Sequence, residues 1–145
     1  MAIRRSSAEW KGGFKDGSGS LKLGSGLLQA PFSYSSRFES GSGTNPEELI
    51  GAAHAACFSM YLSALLGPAG YSPRRISTTA TVHLDEGPKI SMIELSTEAE
   101  IPDIDEKTFR RFAEDARKNC PVSRALAGVE VRLTAALVTE MEAVH

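Results

Sequence analysis

Apolar and polar positions alternate in short runs over the first part of the chain, broken by glycine and serine. Ala8 to Lys11, Ser20 to Leu23 and Pro31 to Tyr34 follow this period of two, which sets successive side chains on opposite faces of a strand. Gly12-Gly13 and Asp16-Gly17 supply turns between them, and Ser40 to Thr44 (SGSGT) reads as loop. The pattern changes at Thr44-Asn45-Pro46-Glu47-Glu48. Asn45 can cap free amides, Pro46 suits a first helical position, and two glutamates complement the positive end of a helix dipole. The predicted helix runs from Pro46 to about Leu66 and stops before Gly67-Pro68. Its middle, GAAHAACFSM, is small and apolar on nearly every side, the mark of a buried helix.

Beyond Pro73, Arg75 to Leu84 and Lys89 to Ile101 are rich in β-branched residues and are separated by Asp85-Glu86-Gly87-Pro88, which predicts a long hairpin. Asp105 caps an amphipathic helix to about Asn119, with Phe109, Phe112 and Ala116 on one face. Cys120-Pro121 breaks it, a short helical turn to Leu126 follows, and Glu130 to Thr139 forms a last strand. The resulting expectation is an α+β fold: an antiparallel sheet wrapped around a long buried central helix.

The chain has 145 residues, so a single domain over 1–145 is expected. A net charge of -2 gives no electrostatic reason to expect a nucleic-acid partner. No stretch reads as the ~20 apolar residues that cross a bilayer, so no membrane partner is expected either. Met1 to Trp10 is charged and lacks an apolar signal core, which makes the cytoplasm the expected location.

The two cysteines change the picture. In a reducing compartment a permanent disulfide is disfavoured, so the pair is either two inert buried thiols or a transient redox couple. Cys57 lies mid-helix, away from the positive field of a helix N-terminus, and a buried unaided thiol has a raised pKa. Reactivity therefore needs a cation brought from elsewhere. Arg37, placed near the end of the third strand, is the candidate, against the alternative of a solvated loop arginine. His54, one turn before Cys57, reads as a packed core histidine; His83 and His145 carry no signal. No phosphate loop, nucleophilic serine motif or flavin signature occurs, so no cofactor and no metal are expected.

NPEELIGAAHAACFSM (Asn45 to Met60) resembles the signature of the OsmC branch of the OsmC/Ohr family of organic hydroperoxide reductases. CPVSRAL (Cys120 to Leu126) is similar to that family's second-cysteine motif, and AEWKG (Ala8 to Gly12), Arg37 and the final strand fall in family order. The resemblance spans nearly the whole chain. It implies a cysteine-based peroxidase in which Cys57 attacks an organic hydroperoxide and Cys120 resolves the product as a disulfide. It also implies that Arg37 activates the thiol, that Glu47 rather than Glu48 orients the arginine, and that an external dithiol, with a lipoyl-bearing protein as one candidate, recycles the enzyme. An OsmC-like fold and an intertwined homodimer with sites at the subunit interface follow from the same resemblance.

Helix geometry argues for the dimer separately. Glu47 and Cys57 are ten residues apart on one predicted helix, about 15 Å along its axis, too far for one arginine to bridge. Two helices crossing antiparallel near Gly51 and Ala52 would bring Glu47 of one subunit towards Cys57 of the other, and Gly51, Ala52, Ala53, Ala55 and Ala56 are small enough for close approach. Phe32, Phe38, Phe58, Met60, Tyr61, Phe109 and Phe112 are available to wall an apolar pocket or simply to fill a core. Three other readings stay open on the residues alone: an apolar-ligand module with structural cysteines, a stress-related dimer without turnover, and a thiol hydrolase using His54 as base.

Overall fold

The computed structural model describes residues 1–139; His145 lies outside them. Two compact units divide the chain, Met1–Leu49 and the residues from Ile50 onward.

The first unit is a three-stranded antiparallel sheet in chain order, β1 (Ser6–Lys11), β2 (Ser18–Leu23) and β3 (Gln29–Phe32), followed by a short helix, α1 (Tyr34–Phe38). The third strand ends earlier than its alternation predicts. Ser33 turns the chain into a capping box: its hydroxyl accepts from Ser36 N–H and its own N–H donates to Ser36 Oγ, at 3.0 and 2.8 Å. Arg37 therefore sits on a helix and not at a strand end. Every residue of β1 is exposed, and among the described residues no hydrophobic side chain before Phe58 is buried. A small sheet without a buried face is marginal in water.

α2 (Pro46–Leu66) begins in the first unit and continues into the second. Asn45 caps it as its sequence suggests, accepting Glu48 N–H at 2.7 Å, with Pro46 in the first helical position. One expectation is overturned: Pro46–Ala69, with a mean hydropathy of 1.6 over its most apolar window, is long and apolar enough to cross a membrane by length and composition. Its many alanines, each only mildly apolar, hide this in a reading of residue types. A second expectation needs correction, since the chain buries one stripe of α2 rather than all of it. Gly51, His54, Phe58, Leu62 and Leu66 are buried, whereas Ala52, Ala53, Ala56, Met60 and Ala64 are exposed.

In the second unit β4 (Arg75–Asp85) and β5 (Lys89–Glu100) form the long hairpin, with a register shift between His83 and Leu84. α3 (Glu106–Asn119) and α4 (Pro121–Ala125) lead to β6 (Glu130–Leu137). The sheet is not purely antiparallel as expected, because β6 pairs with β5 in parallel. The α3–α4 segment is the reason: a crossover carries the chain back to the start of β5 before it re-enters the sheet. Asp105 accepts Thr108 N–H at 3.3 Å and so caps α3. Phe109, Ala113 and Ala116 form its buried stripe, and Phe112 stands beside them, half-buried, edge-on to Tyr71.

The core joins α2 (Phe58, Leu62, Leu66) to β5 (Ile93, Leu95, Ala99) and α3. Gly51 faces β4, where an added Cβ would meet Val82 Cγ2 at 3.4 Å and the Ala80 carbonyl oxygen at 3.5 Å, ordinary contact distances. A polar stitch follows: Ser59 Oγ lies 2.7 Å from Thr78 Oγ1, itself 3.0 Å from Thr97 Oγ1. These contacts hold the middle turns of α2 at one height on the sheet.

Candidate active site

Cys57 stands on the half-buried flank of α2, one helical turn after His54 and just before Phe58 of the core stripe. Cys120 is fully buried at the corner where α3 stops and α4 starts. Pro121 forces that corner, because it cannot continue α3 and suits the first position of α4. The corner brings the two cysteines together from distant parts of the chain. Val122 N–H donates to Cys57 Sγ at 3.5 Å, and Cys120, two residues before Val122, adjoins the Cys57 thiol. Both sulfurs are free thiols.

The Cys57 thiol has a raised pKa. Burial is the largest cause, and the adjoining Cys120 adds to it; the Val122 N–H works in the opposite direction without prevailing. The physical consequence is a thiol that awaits a positive charge before it becomes a good nucleophile.

Behind Cys120 runs a chain of buried polar groups. The Cys120 thiol donates to Ser123 Oγ at 3.2 Å, and Ser123 N–H donates to Cys120 Sγ at 3.4 Å. Ser123 Oγ lies 2.7 Å from His54 Nε2. His54 is fully buried, and its Nδ1 has no hydrogen-bond partner among the described residues. Burial lowers its pKa, so the imidazole is neutral at physiological pH. His54 is thus the packed, hydrogen-bonded histidine that its place in the helix suggests. Ser123 is the residue that sequence reasoning missed; its signal was its place inside the CPVS run.

The first unit carries the other expected pair. Arg37 Nε and Nη2 donate to Glu47 Oε1 and Oε2 at 3.2 and 3.0 Å, a two-pronged ion pair with the carboxylate buried. Glu48, its neighbour, is exposed and accepts from Thr44 Oγ1 at 2.6 Å. The choice between the two glutamates is therefore clear: Glu47 holds the arginine. Local hydrogen bonds set this up, with Ser36 Oγ donating to the Thr44 carbonyl at 2.7 Å and Asn45 Nδ2 donating to the Ser36 carbonyl at 3.0 Å. They tie α1 to the start of α2 across the SGSGT loop.

Arg37 also stacks over the Phe38 ring, 5.3 Å from its centroid, at the edge of a cavity of about 260 Å³. Trp10, Phe14, Phe32 and Tyr34 complete its aromatic wall. Two of the candidate pocket residues, Phe32 and Phe38, do line a cavity, whereas Phe58 and Phe109 are core, each fully buried. Among the described residues no group of three or more His, Cys, Asp or Glu side chains is arranged to hold a metal ion.

Comparison with known proteins identifies what the chain as a whole is similar to. A family model described as OsmC-like protein matches residues 39–134. Over 127 residues the chain is 49% identical to peroxiredoxin OsmC of Escherichia coli K12, covering 85% of this chain and 89% of that protein. It is 31% identical over 100 residues to organic hydroperoxide resistance protein-like 1 of Staphylococcus saprophyticus, covering 66% and 71% of the two chains. Among solved structures, an OsmC-like protein from Mycoplasma pneumoniae superposes with a TM-score of 0.74 at 16% identity, over 94% of this chain and 98% of that one.

Proposed function

This chain belongs to the OsmC-like protein family, and from that membership and its paired thiols we propose that it is a peroxidase that reduces organic hydroperoxides to alcohols. The observation that carries the reading is the meeting of two free cysteines from separate elements, one buried and one reachable from the flank of α2.

In this reading the Cys57 thiolate attacks the distal peroxide oxygen. The O–O bond breaks, the alkoxide takes a proton and leaves as alcohol, and Cys57 becomes a sulfenic acid. The Cys120 thiol then displaces hydroxide from that sulfur, giving a Cys57–Cys120 disulfide and water. An external dithiol, with a lipoyl-bearing protein as one candidate, returns both thiols by exchange. A cytoplasmic setting, where thiols are kept reduced, suits this cycle.

Arg37 supplies the positive charge that the raised Cys57 thiol needs, held in position by Glu47, and its free N–H groups steady the departing alkoxide. The working form is a homodimer in which Arg37 and Glu47 of one subunit serve the cysteines of the other. Two features support this: the exposed apolar stripe of α2, and a first sheet with no buried hydrophobic side chain. The aromatic cavity beside Arg37 suits an alkyl or aryl tail, worth about 0.8 kcal/mol for each CH₂ it buries.

The test is turnover of cumene hydroperoxide with a dithiol by wild type, Cys57→Ser and Cys120→Ser. Expected are activity in wild type, none in Cys57→Ser, and a single round of peroxide attack in Cys120→Ser. The raised thiol pKa favours a second reading, a dimer that binds apolar ligands and has inert cysteines. No peroxide consumption by wild type, with Cys57 refusing thiol labels at neutral pH, would establish that reading instead.

A further inference from the structure

The polar chain behind Cys120 has no part in the scheme above, yet it is built like a proton path. Three side chains from two elements line up in the core: Cys120 Sγ, Ser123 Oγ 3.2 Å away, and His54 Nε2 2.7 Å beyond it. All three residues are buried, with His54 and Cys120 fully so. A buried histidine with one nitrogen unpartnered is costly to keep, since nothing offsets the desolvation of that polar atom. Packing alone would be served as well by an apolar residue at position 54.

We propose that Ser123 and His54 form a relay that takes the proton from the resolving thiol, Cys120, as it closes the disulfide. This rests on the assignment of Cys57 and Cys120 above and concerns only the second half of the cycle. As the S–H bond of Cys120 breaks, its proton passes to Ser123 Oγ while the hydroxyl proton of Ser123 moves to His54 Nε2. The freed sulfur pair forms the S–S bond with Cys57, whose S–O bond breaks and releases hydroxide. The proton held by the relay then returns and converts hydroxide to water. One thiol is oxidised, one sulfenic acid is reduced, and the relay ends as it began.

The geometry fits the direction of transfer. The Cys120 thiol already donates to Ser123, and Ser123 N–H is in place to receive the negative charge on sulfur. A neutral imidazole protonated on Nδ1 presents Nε2 to the serine as an acceptor. Burial disfavours the charged imidazolium, so the proton taken up by His54 is held at a cost that favours its return. Ser123 touches the reacting sulfur, whereas His54 acts through it as a positioning residue.

Single-turnover kinetics separate the two halves of the cycle. Reduced protein is mixed with one equivalent of cumene hydroperoxide, sulfenic acid is trapped with dimedone at timed quenches, and the disulfide is followed by mass spectrometry. Ser123→Ala and His54→Gln are expected to form sulfenic acid at close to the wild-type rate but to close the disulfide about tenfold or more slowly. Ser123→Thr keeps the hydroxyl and is expected to restore closure. Glutamine at position 54 keeps a hydrogen bond to Ser123 but accepts no proton, so a purely structural role predicts normal closure in His54→Gln. Closure at the wild-type rate in Ser123→Ala or His54→Gln overturns the relay while leaving the peroxidase intact. Absence of both sulfenic acid and disulfide in wild type overturns the peroxidase reading and the relay together.

Discussion

His54 shows most plainly how a side chain's surroundings set its chemistry. Its pKa is lowered from 6.5 by burial. Between that depressed value and 6.5 the unfolded chain binds a proton that the folded chain does not, so stability falls as the pH drops through this window. The loss is at most about 1.4 kcal/mol per pH unit, a few degrees in Tm for a chain of this length. Thermal melts at pH 7.5, 6.0 and 5.5 should therefore show a decline in wild type that is smaller in His54→Gln. Equal slopes in the two proteins would mean that the imidazole does not carry this dependence. At this scale the sequence was legible where a residue's role depends on its neighbours in the chain. Asn45 and Asp105 cap the helices they precede, whereas the pairing of Glu47 with Arg37 was implied only by the family resemblance and not by local pattern. The partner of His54 was not legible, because the hydrogen bond to Ser123 joins residues far apart in sequence.

Among the elements, α2 has one buried face and one exposed apolar face. Gly51 is buried against β4 and does not belong to the open stripe. That stripe is Ala52, Ala53, Ala56, Met60 and Ala64, and Met60 alone is 79% exposed. Small residues on an open apolar face allow a second helix to come close. A charge there would be stranded in a dimer and harmless in a monomer, since each of these side chains reaches solvent in the single chain. If the proposed homodimer forms through α2, Ala56→Glu is expected to shift the mass in sedimentation from dimer to monomer and to abolish turnover. A variant that stays dimeric with normal activity would remove α2 from the interface. The sequence read the helix well from its caps and its apolar middle, yet it could not say which face was open, because a helix apolar all round has no polar side to mark. For the same reason it missed α1, whose five residues carry no periodicity and are declared only by Ser33 and Ser36. The parallel pairing of β6 escaped too, since strand direction is set by the crossover and not by the strand's own pattern.

For the whole molecule the decisive question is whether, in the proposed homodimer, one subunit supplies the charge and the other the thiols. The Arg37–Glu47 pair is assembled within the first unit and the thiols within the second. In a two-fold dimer each surface patch occurs twice, so a composite site also occurs twice, with the roles of the chains exchanged. Consider Arg37→Ala and Cys57→Ala, each inactive by itself. Unfolded together and refolded as an equal mixture, half of the dimers are mixed, and each mixed dimer holds one site with both an intact arginine and intact cysteines. Activity should return to about one quarter of the wild-type level on this statistical count. Sites formed wholly within one chain would give no recovery, because in the mixture every chain lacks either its arginine or its attacking cysteine. Recovery that grows with the mixed-dimer fraction, measured by native mass spectrometry, would locate the activating charge in the opposite subunit. It would also explain how a thiol whose pKa is raised by its own chain becomes reactive when a second copy docks.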